Sequence, residues 1–196
     1  MSAIGLPVRR KTGGVAPGAF TAAGGLVVLA LLVAFIATNA GASLAQRSLR
    51  ARWDRIVAAG SMPAPRAGDP VAELAIPSIG LDAIVVEGPG SGRSAPTHIA
   101  TTALPGGSGL SSIEAGRLGF GGFFARLDRL TTGDTIAVRT PSGVVTYEIN
   151  DARVIDASSI DLSSGGDTAT LVLIAPASHL GGGARIVVRA REKAAP

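Results

Sequence analysis

Between Lys11 and Arg47 lie 35 consecutive residues without a formal charge, a stretch that a water-soluble domain rarely accommodates. Inside it, Phe20 to Thr38 is a nearly unbroken apolar run rich in Leu, Val and Ala. As a helix these 19 residues, at about 1.5 Å each, span roughly 28 Å, close to the hydrocarbon core of a bilayer. The run therefore predicts a transmembrane anchor at residues 19–39, preceded by a short N-terminal segment at residues 1–18. Arg9, Arg10 and Lys11 precede it, and the positive-inside rule then puts the N-terminus in the cytoplasm and the rest outside. A cleaved signal peptide is the competing reading, with the small residues Ser43 and Ala45 as a processing site. The apolar run exceeds the roughly 7–15 residues of a signal core, which favours the uncleaved anchor. Either way the body of the chain crosses the membrane.

Charge separates the regions. Residues 1–70 carry a net charge of +6 and residues 71–196 a net charge of −2. The basicity thus belongs to the flanks of the anchor, and no basic face interleaved with aromatics exists to bind nucleic acid. Residues 40–70 divide again. Leu49, Trp53, Ile56 and Val57 recur at helical spacing among Arg47, Arg50, Arg52 and Arg55, which predicts a solvated juxtamembrane helix with arginines on lipid phosphates. A partner-binding helix is the competing reading. Gly60 to Pro70, with three prolines, predicts an extended linker.

From Val71 onward the pattern becomes short Val, Ile and Thr-rich runs between turn signals: 72–76, 83–86, 135–139, 144–150, 170–175 and 185–189. Pro141-Ser142-Gly143 reads as a hairpin turn, and Phe123 to Leu130 as a short helical turn. Residues 71–196 should therefore form a mainly β domain, a barrel or a sandwich. The chain has no cysteine. That excludes disulfides, thiolate metal sites and a thiol nucleophile. Asp151, Asp156, Asp161 and Asp167 are spaced as turn and cap residues, so no metal is expected. The glycine-rich stretches 104–109 and 181–183 lack a phosphate-loop ending, so no cofactor is expected either.

The order of local motifs resembles the sortases, in particular the actinobacterial class E type. The segment from Leu74-Ala75-Ile76-Pro77 to Asp82, then Val85-Val86-Glu87-Gly88, is similar to the opening strands of that family. Thr102-Ala103-Leu104-Pro105-Gly106, Phe120-Gly121-Gly122-Phe123-Phe124 through Leu130, and Gly133-Asp134 follow in the family's order. The resemblance implies an eight-stranded β-barrel with short helices, outside the membrane on an N-terminal anchor. It also implies a cysteine transpeptidase that cuts sorting signals such as LPXTG or LAXTG and passes the acyl group to an amine.

That chemistry needs a cysteine thiolate, a histidine acid and an arginine donor. The resemblance puts Gly116 at the histidine position, in the segment ending Ile113-Glu114-Ala115-Gly116-Arg117, or with a one-residue shift reads the histidine as deleted, and it puts Ile174 at the cysteine position, in Thr170-Leu171-Val172-Leu173-Ile174. Arg185 matches the arginine. Isoleucine cannot ionise or carry an acyl group. His98 matches a histidine that such sortases carry near the substrate groove, while His179 follows the nucleophile strand, beside Ser178. The expectation is a pseudo-sortase that has lost transpeptidase activity and binds a sorting-signal-like peptide, a pilin or an active sortase. The alternative is a hydrolase or transpeptidase on the same fold that uses Ser178 and His179. Adjacent residues of an extended segment point in opposite directions, which weighs against that pair.

Overall fold

In the computed structural model, the structure describes residues 17–88, 94–163, 168–178 and 182–193, with side chains from residue 26. Arg9, Arg10, Lys11, Asp167 and His179 lie outside the described residues. The chain divides into two units, residues 1–36 and residues 37–196. A single helix, α1 (Pro17–Ala59), runs through the boundary. In the first unit its described side chains are apolar and exposed, Leu26 at 68% and Val28 at 66% among them. Such a helix is long and apolar enough to cross a membrane.

The second unit is a closed barrel. Its strands are β1 (Pro70–Ile76), β2 (Leu81–Glu87), β3 (Thr97–His98), β4 (Leu110–Glu114), β5 (Thr135–Thr140), β6 (Gly143–Asp156), β7 (Thr170–Pro176) and β8 (Ala184–Glu192). They close in the order β1-β2-β3-β4-β7-β8-β6-β5. Two pairs, β2 with β3 and β4 with β7, are parallel, and the rest are antiparallel. Alternation sends Leu74, Ile76, Ile113, Val138, Tyr147, Leu171, Leu173 and Val188 into one core. The tight β5–β6 turn at Thr140–Gly143 falls on the anticipated Pro-Ser-Gly, and the helical turn after Phe123 contracts to a 3₁₀ turn at Leu127–Arg129.

The C-terminal part of α1 departs from the solvated helix expected of residues 46–59. Leu49 and Trp53, 7% and 0% exposed, pack against Ile84, Val86 and Ala95. Gln46 donates to the Ile84 carbonyl at 3.2 Å and accepts the Ile84 N–H at 2.8 Å. Arg50 pairs with Glu73 and Asp82, and Arg52 with Asp69. The arginines read as lipid contacts thus include two that bind carboxylates of the barrel. Helical spacing cannot distinguish an apolar stripe facing a membrane or water from one facing the domain that follows it.

The hydrogen bond that Arg50 donates to the Asp82 carboxylate, ahead of the other influences, raises the guanidinium above its ordinary value. Because Arg50 is 40% exposed, Arg50→Ala should cost only about 1 kcal/mol, and less at high salt. Denaturant unfolding of the full chain in detergent at two ionic strengths checks both points.

Candidate functional site

Parallel pairing of β4 with β7 sets Glu114 beside Ile174, and the Ala115 N–H continues the ladder to the Ile174 carbonyl at 3.2 Å. On the other edge of β4, Glu114 lies opposite Thr97 of β3. Beyond β7, Ile174 pairs with Val187 and Pro176 with Arg185 of β8. Paired residues share a face, so Thr97, Glu114, Ile174 and Val187 form one row across four strands. Leu171 and Leu173 alternate with them and point into the core.

A pocket of about 220 Å³ opens on this row, lined by Thr97, Glu114, Gly116, Ile174, Pro176 and Arg185 among others. Gly116, Ile174 and Arg185, which the resemblance singles out at separate places in the chain, are therefore neighbours in one cleft. Ile174 is 7% exposed and belongs to an apolar cluster with Leu110, Val172 and Val187, against which Ile160 and Leu162 pack. Those last two follow a 3₁₀ turn at Ala157–Ser159. The Asp156 carboxylate caps this turn by accepting from the Ser158 hydroxyl at 2.6 Å and its N–H at 2.9 Å. The hydroxyl bond, then the N–H, hold Asp156 below the usual carboxylate range. The Ala157 N–H donates to Gly183 O at 2.8 Å, tying this wall to the chain entering β8.

Arg185 is half-buried, and its Nη1 donates to the carbonyls of Gly182 at 2.9 Å and Ala184 at 3.1 Å. Its guanidinium is thereby fixed by its own loop. Arg117, which sequence reasoning passed over, staples the two strand exits together. Its Nη1 donates to Ala177 O at 3.1 Å, while Nη2 reaches Ala125 O at 3.2 Å and Asp128 at 2.9 Å. The arginine follows directly after Gly116, so it holds the exit of β4 against the exit of β7.

The two remaining candidates sit elsewhere. His98 lines no part of the pocket. It is 1% exposed, with Nδ1 2.7 Å from Glu87 Oε2 and Nε2 2.9 Å from Ala103 O. Of the two readings open for His98, a substrate contact or a histidine bonded to backbone, this geometry favours the second, since both ring nitrogens already have partners inside the barrel. Ser178 is exposed, lies past the end of β7 and is not among the pocket residues.

The described lining supplies one carboxylate, one guanidinium and one hydroxyl, and that hydroxyl, Thr97 Oγ1, already donates to Ala95 O at 3.4 Å. Position 174 offers only hydrocarbon. A thiol there would have the Glu114 carboxylate on the adjacent strand, roughly 5 Å away at the Cβ atoms, and a neighbouring negative charge disfavours a thiolate. Among the described residues no group of three His, Asp or Glu converges as metal ligands would.

Comparison with known proteins gives this barrel its family. The sortase domain family matches residues 74–193. A Clostridium perfringens sortase D5 transpeptidase superposes with a TM-score of 0.66 at 22% identity, covering 76% of this chain and 99% of its own. Clostridium perfringens sortase C with the C-terminal cell wall sorting motif gives 0.60 at 18%, covering 80% and 91%. Group B Streptococcus pilus island 1 sortase C2 gives 0.58 at 20%, covering 64% and 74%. No curated protein matches significantly. A family match that spans most of the barrel, together with the shared eight-stranded closure, establishes that this chain belongs to the sortase family.

Proposed function

We propose that this protein is a membrane-anchored pseudo-sortase of the class E type, which binds a sorting-signal-like peptide in its groove without cutting it. Its binding domain would stand outside the membrane and its N-terminus in the cytoplasm. The ligand would be a sorting signal, a pilin or an active sortase. One observation carries this reading: among the described residues the pocket that gathers Gly116, Ile174 and Arg185 contains an arginine but no imidazole, and the chain has no cysteine to supply a thiol. The Glu114 carboxylate beside Ile174 supports it from a second direction, since it opposes the thiolate the family chemistry needs. Without nucleophile and acid, positioning and oxyanion contacts leave only a small residual rate.

The test uses the full chain in detergent with fluorogenic LAXTG and LPXTG peptides. The expected result is no turnover above buffer, together with measurable binding that weakens at least severalfold in Arg185→Ala. Turnover abolished by Ser178→Ala or His179→Ala would instead establish a hydrolase or transpeptidase with a replacement nucleophile. Binding unaffected by Arg185→Ala would remove the peptide from this groove.

A further inference from the structure

We infer that Glu114 makes the groove selective for a ligand with a cationic side chain, lysine or arginine, beside a carbonyl group that Arg185 receives. This rests on the groove being a peptide site and names the chemistry of its occupant. Three observations carry it.

Glu114 is exposed, and among the described residues its side chain makes no hydrogen bond and no ion pair. Three of the barrel's four other strand glutamates are paired, Glu73 with Arg50 and Arg139, Glu87 with His98, and Glu148 with Lys193, while Glu192, at the end of β8, is not among the pocket residues. Glutamate is also depleted in strands, and this one sits between Thr97 and an isoleucine on a largely apolar row. Among the described residues nothing pairs with this carboxylate, while its place in the pocket lining turns it toward a ligand.

The pocket's opposite charge does not neutralise it. Arg185 lies on β8, two ladders from β4, which sets the strands about 10 Å apart across the floor. No ion pair joins the two side chains, and Arg185 is held by Gly182 O and Ala184 O on its own side. The result is a dipolar pocket with a carboxylate at one end and a guanidinium at the other.

Between them the described floor is hydrocarbon, the side chains of Ile174 and Pro176. A lysine or arginine satisfies all three features at once. Its methylene stem covers Ile174, its charged end reaches Glu114, and the peptide carbonyl next to it accepts from Arg185. A volume of about 220 Å³ fits one such side chain with its backbone.

Three pentapeptides test this against the full chain in detergent by fluorescence anisotropy: Leu-Ala-Lys-Thr-Gly, Leu-Ala-Ala-Thr-Gly and Leu-Ala-Glu-Thr-Gly, each labelled at its N-terminus. The lysine peptide should bind about threefold tighter than the alanine peptide and about tenfold tighter than the glutamate peptide, the range of a partly exposed charge pair plus a like-charge repulsion. The spread should shrink in 0.5 M salt. Glu114→Gln should bring the three affinities together, and Glu114→Lys should reverse their order. Equal affinities in the unaltered protein that still fall in Arg185→Ala would overturn this selectivity while leaving peptide binding standing. Absence of binding for all three would overturn both.

Discussion

The double variant Gly116→His with Ile174→Cys should cleave a fluorogenic LAXTG or LPXTG peptide at least tenfold above the unaltered protein, whose expected rate is the buffer background. The geometry favours it. Gly116 has ordinary backbone angles, and a Cβ added there would meet nothing nearer than Leu118 O at 4.0 Å, so a histidine enters without strain. Ile174 is the register partner of Glu114 and shares the pocket with Arg185, so a cysteine replacing it would have a carboxylate that opposes a thiolate and a guanidinium in the same cleft that can offset it. Ile174 also packs with Val172 and Val187, and the shorter cysteine loses part of that contact, about 1–2 kcal/mol of stability. Ile174→Cys alone should react with iodoacetamide yet turn over little peptide, because no group protonates the leaving amine. Adding Glu114→Ala to the double variant should speed alkylation further by removing the opposing charge. A folded double variant that neither alkylates nor cleaves would show that the groove itself no longer admits the family's substrate.

What made the site readable was its position in the chain. Gly116, Ile174 and Arg185 each sit in a segment whose neighbours keep the family's order, so their places were legible before any coordinates. Glu114 and Arg117 stand in the same quoted segment and passed unnoticed. Their significance comes from β4 pairing parallel to β7, and a parallel partner some 60 residues away leaves no local signal. The two strands beside the site were equally hidden. β3 is only Thr97–His98, too short for alternation to register, and β4 carries Ser111 and Ser112, which are polar yet 1% and 0% exposed. The other six strands have the Val and Ile content that marks a strand, and all six were anticipated within a few residues except β6. That strand runs on to Asp156 past a register shift between Ile149 and Asp151, where the apolar pattern breaks.

The apolar side of residues 49–57 was hidden for a related reason. The four periodic residues Leu49, Trp53, Ile56 and Val57 correctly indicated a helix, but not what its apolar side would meet. The loop at residues 117–123 shows the same gap. Gly121 has φ of 95° and donates its N–H to Asn39 Oδ1 at 3.0 Å, a docking of loop on helix 82 residues apart. A side chain at Gly121 would run into the Phe123 ring at 2.7 Å, so only glycine permits that approach. A glycine-rich run shows flexibility in sequence, while its actual use is close contact.

His98→Ala should destabilise the barrel by about 3–5 kcal/mol, the cost of stranding a buried carboxylate. Parallel pairing brings Glu87 and His98 side by side, with side chains only 10% and 2% exposed. The Thr102 hydroxyl donates to Ile99 O at 2.7 Å, so at 3.1 Å from His98 Nε2 it can only accept. Nε2 therefore carries a hydrogen, shared between Thr102 and Ala103 O, and a second proton sits between Nδ1 and Glu87. Alanine removes both donors and leaves Glu87 with nothing to neutralise it. Glu87→Gln should cost far less, about 1 kcal/mol, since the amide can donate to a neutral imidazole. Combining His98→Phe with Glu87→Leu should recover most of the loss, because an apolar pair of similar volume carries no desolvation debt. Denaturant unfolding of the full chain measures all three, and a cost below about 1 kcal/mol for His98→Ala would mean that water reaches Glu87 after all. Peptide affinity then separates structure from recognition: His98→Gln, if folded, should bind the lysine pentapeptide as the unaltered chain does, whereas a loss comparable to that of Arg185→Ala would return His98 to the groove.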